Sequence, residues 1–179
     1  DPERFAALPE PSGPFTVGAA SRLIWSQGLD LLVGAVRRLH AAGRDVRLRI
    51  AGAPDPDNPE SVSEQTCAQW AATPGVSLLG RVSDMSAFWA EAHVGCFPTR
   101  GGEGLPRALL EAAACARALI VTNTPGCIDF VRTEREGLIT PSQNVDALAD
   151  AIAALMDTPA DRARMGANAR ARVLSGYTE

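Results

Sequence analysis

Residues 94–122 read VGCFPTRGGEGLPRALLEAAACARALIVT. An apolar run (VGCFP, 94–98) gives way to a Gly-rich loop (TRGGEG), then to an amphipathic stretch, then to a second apolar run (ALIVT, 118–122). Four to six apolar residues bounded by turn signals suit a buried strand, and the span between them has helical period. Two short strands joined by one helix cannot pair antiparallel through a tight turn, so this is a βαβ unit of a parallel sheet. The same alternation runs through the chain. FTVGAA (15–20), VRLRIAG (46–52), VSLLG (76–80) and GLIT (137–140) are further strand candidates. Leu29, Leu32, Val33, Val36 and Leu39 fall at helical spacing, and that helix ends near Gly43. Other helices are expected from about Ser61 to Ala72, over DMSAFWAEA (84–92), as a turn at 127–132, from Val145 to Met156 with Asn144 as cap, and over DTPADRARMGANARARVL. The expectation is α/β: a Rossmann-like, doubly wound parallel sheet of about six strands in a single domain over 15–179. Residues 1–14, rich in Pro and polar residues, read as a linker or tail.

Composition narrows the function classes. The chain has 179 residues, 46% hydrophobic and 21% charged, with 17 basic against 21 acidic residues. That is a globular balance with no long basic block, so nucleic acid is not an expected partner. Every basic residue is arginine. The four cysteines (Cys67, Cys96, Cys115, Cys127) have no CxxC spacing and read as free thiols in a reducing compartment. No apolar run approaches the ~20 residues that span a bilayer. The start, DPERFAALPEPSGP, has neither an initiator Met nor a signal-peptide pattern, so a longer cytoplasmic protein is expected.

In doubly wound sheets, ligands bind at the carboxyl ends of the strands, which places TRGGEG at that edge. Pro106 suits the first helical position. Glu103 then lies in the loop before the helix and Glu111 about one and a half turns inside it, on the order of 10 Å away. Between them, the helix start offers free N–H groups and partial positive charge. Two readings fit this spacing. The glutamates could clamp vicinal diols on either side of a diphosphate, or Glu103 could be a dipole-favoured acid and Glu111 a solvated one.

The residues around the pair resemble a known family. GGEGLPRALLEAAACARALIVTNTPG is similar to the signature of the group 1 (family 4) retaining glycosyltransferases. VGAASRLIWSQG resembles their G-R-L-x-x-x-K-G, LLGRVSDM their F-x-G-x-V-x-D, and REGLIT their N-G-x-L-V, all in the family's order. PDPDNPESV is similar to a loop in a bacterial subgroup that builds cell-surface polysaccharides. The resemblance covers about residues 15–175. It implies the C-terminal, donor-binding half of a two-domain GT-B enzyme, metal-independent and without cofactor. Such an enzyme moves a hexose with retention from a nucleotide sugar, expected to be UDP-linked, to a saccharide or lipid-linked acceptor.

By that resemblance Glu103 contacts the transferred sugar and Glu111 the ribose. The backbone of Gly104 and Leu105 meets sugar and phosphates, Arg22 neutralises the diphosphate, and the backbone at Gly80 and Arg81 frames the base. The implied partners are the nucleotide sugar, an N-terminal acceptor-binding domain, and a lipid-linked saccharide at the inner membrane face. Alone, the chain is expected to transfer nothing. Two positions depart from the family pattern. Gln27 stands where the family has lysine, which removes one diphosphate cation unless Arg100 or Arg107 supplies it. Ala116 stands where the family has Gly, a change expected to act on local backbone. The first departure keeps open a catalytically impaired nucleotide-sugar-binding or scaffold domain; another GT-B enzyme, such as a sugar-nucleotide epimerase, is the remaining alternative.

Other features carry less. Asp55-Pro56-Asp57 mimics a metal-binding DxD but sits among Pro and Asn, and reads as turn chemistry. His40 and His93 have no partner at metal-ligand spacing. Ser21 and Ser26 lack a neighbouring His, and VGAASR does not supply a dinucleotide-binding G-x-G-x-x-G. Trp25, Trp70 and Trp89 read as packing residues.

Overall fold

The computed structural model describes Asp1 and residues 3–177. Six strands are formed: β1 (Phe15–Ala20), β2 (Val46–Ala51), β3 (Val76–Leu78), β4 (Val94–Phe97), β5 (Ala118–Thr122) and β6 (Gly137–Thr140). They make one sheet in the order β3-β2-β1-β4-β5-β6, and every pairing is parallel. The order reverses between β1 and β4, so the crevice at their carboxyl ends is where ligands are expected. Seven α-helices connect or follow the strands: α1 (Leu29–Ala41), α2 (Glu64–Ala71), α3 (Met85–Ala90), α4 (Arg107–Ala114), α5 (Pro125–Ile128), α6 (Val145–Asp157) and α7 (Pro159–Gly176). Helix α5 starts two residues earlier than its sequence suggested, because Pro125 occupies its first turn. Asn144 caps α6, its Oδ1 accepting from Ala147 N at 2.9 Å. None of the described helices is long and apolar enough to cross a membrane, and the four cysteines are free thiols.

Each face of the sheet has its own core. Leu32, Val36, Leu148 and Ile152 from α1 and α6 cover one face against Val17, Leu48 and Ile50. Trp89, Leu109, Ala112, Ala169 and Val173 from α3, α4 and α7 cover the other. The glycines inside β1 and β4 belong to this second layer. A Cβ on Gly18 would lie 2.8 Å from the Trp89 ring, and one on Gly95 3.3 Å from it. The fully buried indole therefore packs against two strands that carry no side chain there.

Residues 3–14 form neither helix nor strand, yet they are packed. Phe5 is buried, Arg162 grips the Glu10 carboxylate with two bonds of 2.8 Å, and Arg117 donates to the Leu8 and Pro9 carbonyls at 3.0 and 2.9 Å. Composition announces the missing secondary structure but not the packing. Ala116 turns the chain from α4 into β5 at φ 61°, the left-handed region that a glycine enters at less cost. The close approach of α7 is also set here, since a Cβ on Gly166 would fall 2.2 Å from the Ala116 carbonyl oxygen.

His93, buried before β4, accepts a 3.0 Å bond from the Thr16 N–H through Nδ1. Burial lowers its pKa, Arg162 and Arg117 act in the same direction, and Glu10 opposes them. The neutral ring is the native form, so the unfolded chain binds the extra proton. Its contribution is complete above a pH of about 6.5 and is lost as pH falls through the lower folded value. Glu10 and Glu136, whose pKa values are lowered, add a further loss only below about 4.5. Urea midpoints are expected to drop between pH 7.5 and 5.5, and His93→Asn should flatten that slope. An unchanged slope in the variant would remove His93 from the account.

Candidate donor site

The Gly-rich loop after β4 is tied down before it reaches Glu103. Arg100 N donates to the Ser26 carbonyl at 2.7 Å, Thr99 Oγ1 to the same oxygen at 3.2 Å, and Thr122 Oγ1 to the Thr99 carbonyl at 2.5 Å. The Arg100 guanidinium forms a fork with the Asp30 carboxylate in the first turn of α1, at 2.9 and 2.8 Å, and also reaches the Trp25 carbonyl at 2.5 Å. This arginine therefore fixes the loop and does not offer its charge to an anion, so it is not the replacement cation that its position suggested. Gly28, at φ 73°, lets the chain pass so close to β4 that a Cβ there would lie 1.9 Å from the Pro98 oxygen.

Beyond Arg100, Gly101 and Gly102 hold φ of 99° and 88°, and the chain then runs over α5. A Cβ on Gly126 would lie 2.4 Å from the Gly104 carbonyl carbon, so the Gly104–Leu105 backbone rests directly on that glycine. Pro106 precedes the helix and does not open it: its ψ of 132° is extended, and Arg107 is the first helical residue. Glu103 is exposed in the loop, and Gln27 Nε2 donates to its Oε1 at 2.9 Å. The residue standing in the family's lysine position is thus a neutral donor to the first glutamate.

Glu111 is placed quite differently. Its side chain is only 16% exposed, with Arg107 Nε 3.5 Å away. Burial raises its pKa and Arg107 partly offsets this. A largely buried carboxylate held by a 3.5 Å ion pair has acceptor capacity left, which suits a ligand that brings hydroxyl protons.

Glu111 lies in the wall of a cavity of about 570 Å³. The cavity sits at the carboxyl ends of β1, β2 and β3 and against the start of α4, next to the point where the strand order reverses. Arg22, Arg81 and Arg107 supply cationic groups to its wall, and Val82, Met85 and Ala108 apolar ones. Of the candidate site residues named from sequence, Arg22, Arg81, Arg107 and Glu111 share this cavity. Gln27 and Glu103 meet each other and Gly104 and Leu105 lie on Gly126, but none of these four lines the cavity. Gly80, at φ 66°, accepts from Gly52 N at 2.7 Å and holds the β3 end against the β2 end. No group of three or more His, Cys, Asp or Glu among the described residues is arranged to hold a metal ion.

Sequence reasoning missed Asp55. The turn is real, with Asn58 N donating to the Asp55 carbonyl at 2.8 Å. Its carboxylate, however, lines the cavity and pairs with Arg22 at 3.1 Å. The available signal was position, since an acid a few residues beyond a strand's carboxyl end falls on the ligand edge.

Residues 14–158 match a family model, glycosyl transferases group 1. The chain belongs to that family. It is 34% identical over 165 residues to a GDP-mannose-dependent monoacylated alpha-(1-6)-phosphatidylinositol monomannoside mannosyltransferase of Corynebacterium glutamicum, aligning 88% of this chain with 42% of that protein. It is 30% identical over 164 residues to a capsular polysaccharide biosynthesis glycosyltransferase of Staphylococcus aureus, aligning 92% of this chain with 42% of the relative. The chain thus spans less than half the length of the curated relatives it matches. Among solved structures, the C-terminal domain of a group 1 glycosyl transferase from Francisella tularensis superposes with a TM-score of 0.80 at 16% identity, covering 99% of this chain and 98% of that one. The group 1 glycosyltransferase fold present here is therefore that of the C-terminal domain of a GT-B enzyme.

Proposed function

We propose that this domain binds the nucleotide-sugar donor of a retaining group 1 glycosyltransferase that builds a surface polysaccharide or glycolipid on the cytoplasmic side of the membrane. The carrying observation is the cavity next to the sheet's switch point, whose wall brings the largely buried Glu111 together with Arg22, Arg81 and Arg107. In this reading the ribose hydroxyls donate to Glu111, and Arg22 and Arg107 neutralise the diphosphate. The base lies against Val82 and Met85 near Gly80 and Arg81. Glu103, held by Gln27, meets the sugar over the Gly104–Leu105 backbone. Departure of the nucleoside diphosphate is assisted by arginines and the α4 N-terminus without a metal ion. The acceptor, a saccharide or lipid-linked saccharide, is held by an N-terminal domain, so the chain alone binds donor and transfers nothing. The base is read as uracil; because one relative is named for GDP-mannose, both nucleotides enter the test.

Calorimetric titration of the chain with UDP, GDP and their sugars tests this reading. One pair is expected to bind, and Glu111→Gln to weaken it by about tenfold or more, the size of a lost charge-assisted hydrogen bond. A folded chain that binds none, or a variant that binds like the wild type, would overturn the assignment.

A further inference from the structure

The Arg22–Asp55 pair is the least expected feature of the cavity, because a carboxylate in a diphosphate site opposes its ligand. It is not an accident of two mobile surface side chains. Leu23 N donates to the Ala53 carbonyl at 3.0 Å, Val62 N to the Leu23 carbonyl at 2.9 Å, and Trp25 N to the Glu60 carbonyl at 3.0 Å. The segment after Arg22 is thereby laced to both ends of the loop that carries Asp55. Asp55 is pinned as well, its own N–H donating to Ser61 Oγ at 3.0 Å. Two fixed backbones thus present the acid to the base at 3.1 Å. The side chains are 58% and 32% exposed, so the pair is weak enough for a stronger anion to break.

We propose that Asp55 is a specificity-determining residue of the donor site: its carboxylate competes with the diphosphate for Arg22, and so disfavours the nucleoside diphosphate product more than the nucleotide sugar. The inference rests on the donor-site reading above. When the sugar leaves, the terminal phosphate gains an ionisable oxygen, and the ligand goes from about two negative charges to nearly three at neutral pH. A fixed negative charge within several ångströms repels the second form more than the first. Arg22 is then free to hold donor, while Asp55 hastens the exit of product and limits product inhibition. The device needs no movement of the fold, only exchange of one guanidinium between two anions.

Titrations of the wild type, Asp55→Asn, Asp57→Asn and Arg22→Gln with UDP and UDP-glucose, and with GDP and GDP-mannose, test the proposal. Asp55→Asn keeps the side-chain shape and is expected to tighten the diphosphate about tenfold and its sugar about threefold, shifting the ratio of the two affinities about threefold toward the diphosphate. Raising the salt to 0.5 M should erase most of that gain, an expectation set by a screening length of only about 4 Å. Asp57→Asn changes net charge equally but does not line the cavity, and should change nothing. Unchanged or weaker binding by Asp55→Asn, or equal tightening of both ligands, overturns the proposal. Arg22→Gln separates the two levels. If it weakens both ligands while Asp55→Asn has no effect, only the role of Asp55 falls. If Arg22→Gln binds like the wild type, the donor-site reading falls with it.

Discussion

Arg117→Ala is expected to lower the unfolding free energy by about 3–5 kcal/mol and the melting temperature by roughly 10 °C. Arg117 is 1% exposed, and no carboxylate pairs with it among the described residues. Its partners are main-chain carbonyls: Nε donates to Trp89 at 2.9 Å, Nη1 to Leu8 at 3.0 Å and Nη2 to Pro9 at 2.9 Å. Burial lowers its pKa, the mark of a cation held against desolvation. Removing the side chain relieves that desolvation but leaves the buried Trp89 carbonyl and two partly buried ones without their donor, and the second effect is the larger. It also frees the segment before β1 on one side. Arg117→Lys can satisfy one carbonyl and should recover a minor part of the loss; Arg117→Met fills the volume and should recover less still. Chemical denaturation measures the stability, and hydrogen exchange at residues 5–10 measures the release of the segment. A melting temperature within 2 °C of the wild type would contradict the reading, 2 °C being what about 1 kcal/mol moves in a domain of this size.

Arg117 also marks where the sequence stops being legible. Its environment is built from residues 28, 109 and 108 positions away, and no periodicity encodes such a set. The six strands are different. Each is a short apolar or, in β2, alternating run closed by Gly, Pro or a polar turn, and that information is local. The expected ends drift by a residue or two, as where VSLLG stops pairing at Leu78 because Gly80 turns away at φ 66°. The parallel, doubly wound topology was legible from the handedness and shortness of the connections, whereas the order β3-β2-β1-β4-β5-β6 comes from the structure. In the site, the Glu103–Glu111 spacing was legible because one helix start carries both. The Asp30–Arg100 fork and the Arg22–Asp55 pair were not, since each joins segments that follow different strands. Gln27 was visible as a missing charge, and the structure adds what its amide does. Ala116 was visible as a departure from glycine, and its φ of 61° is the reason glycine is usual there.

Gly126→Ala is expected to leave the chain folded and to lower its affinity for the nucleotide sugar by on the order of tenfold, with a smaller loss for the nucleoside diphosphate. The added methyl would lie 2.4 Å from the Gly104 carbonyl carbon and oxygen and 2.8 Å from Leu105 N. These are backbone atoms, so no side-chain rotation relieves the clash, and either α5 or the Gly-rich loop must move. Helix α5 is held down by Cys127 at 1% exposure, and Phe130 and Val131 immediately after it are 0% and 1% exposed. Moving it would open the core beneath β5. The loop has exposed residues at 102–104 and two positive-φ glycines as a hinge, so the loop yields. Lifting it carries Glu103 away from Gln27 and draws the Gly104 and Leu105 amides back from the sugar and phosphate they are proposed to meet. Glu111 sits about one turn inside α4, and its ribose contact is disturbed less. The loss should therefore fall on the increment that the sugar adds to nucleotide binding. Titration of one nucleoside diphosphate and its sugar, with melting curves on the same samples, separates the cases. Equal loss for both ligands would place the disturbance in α4 itself, and no loss would mean that the Gly104–Leu105 backbone does not touch the donor.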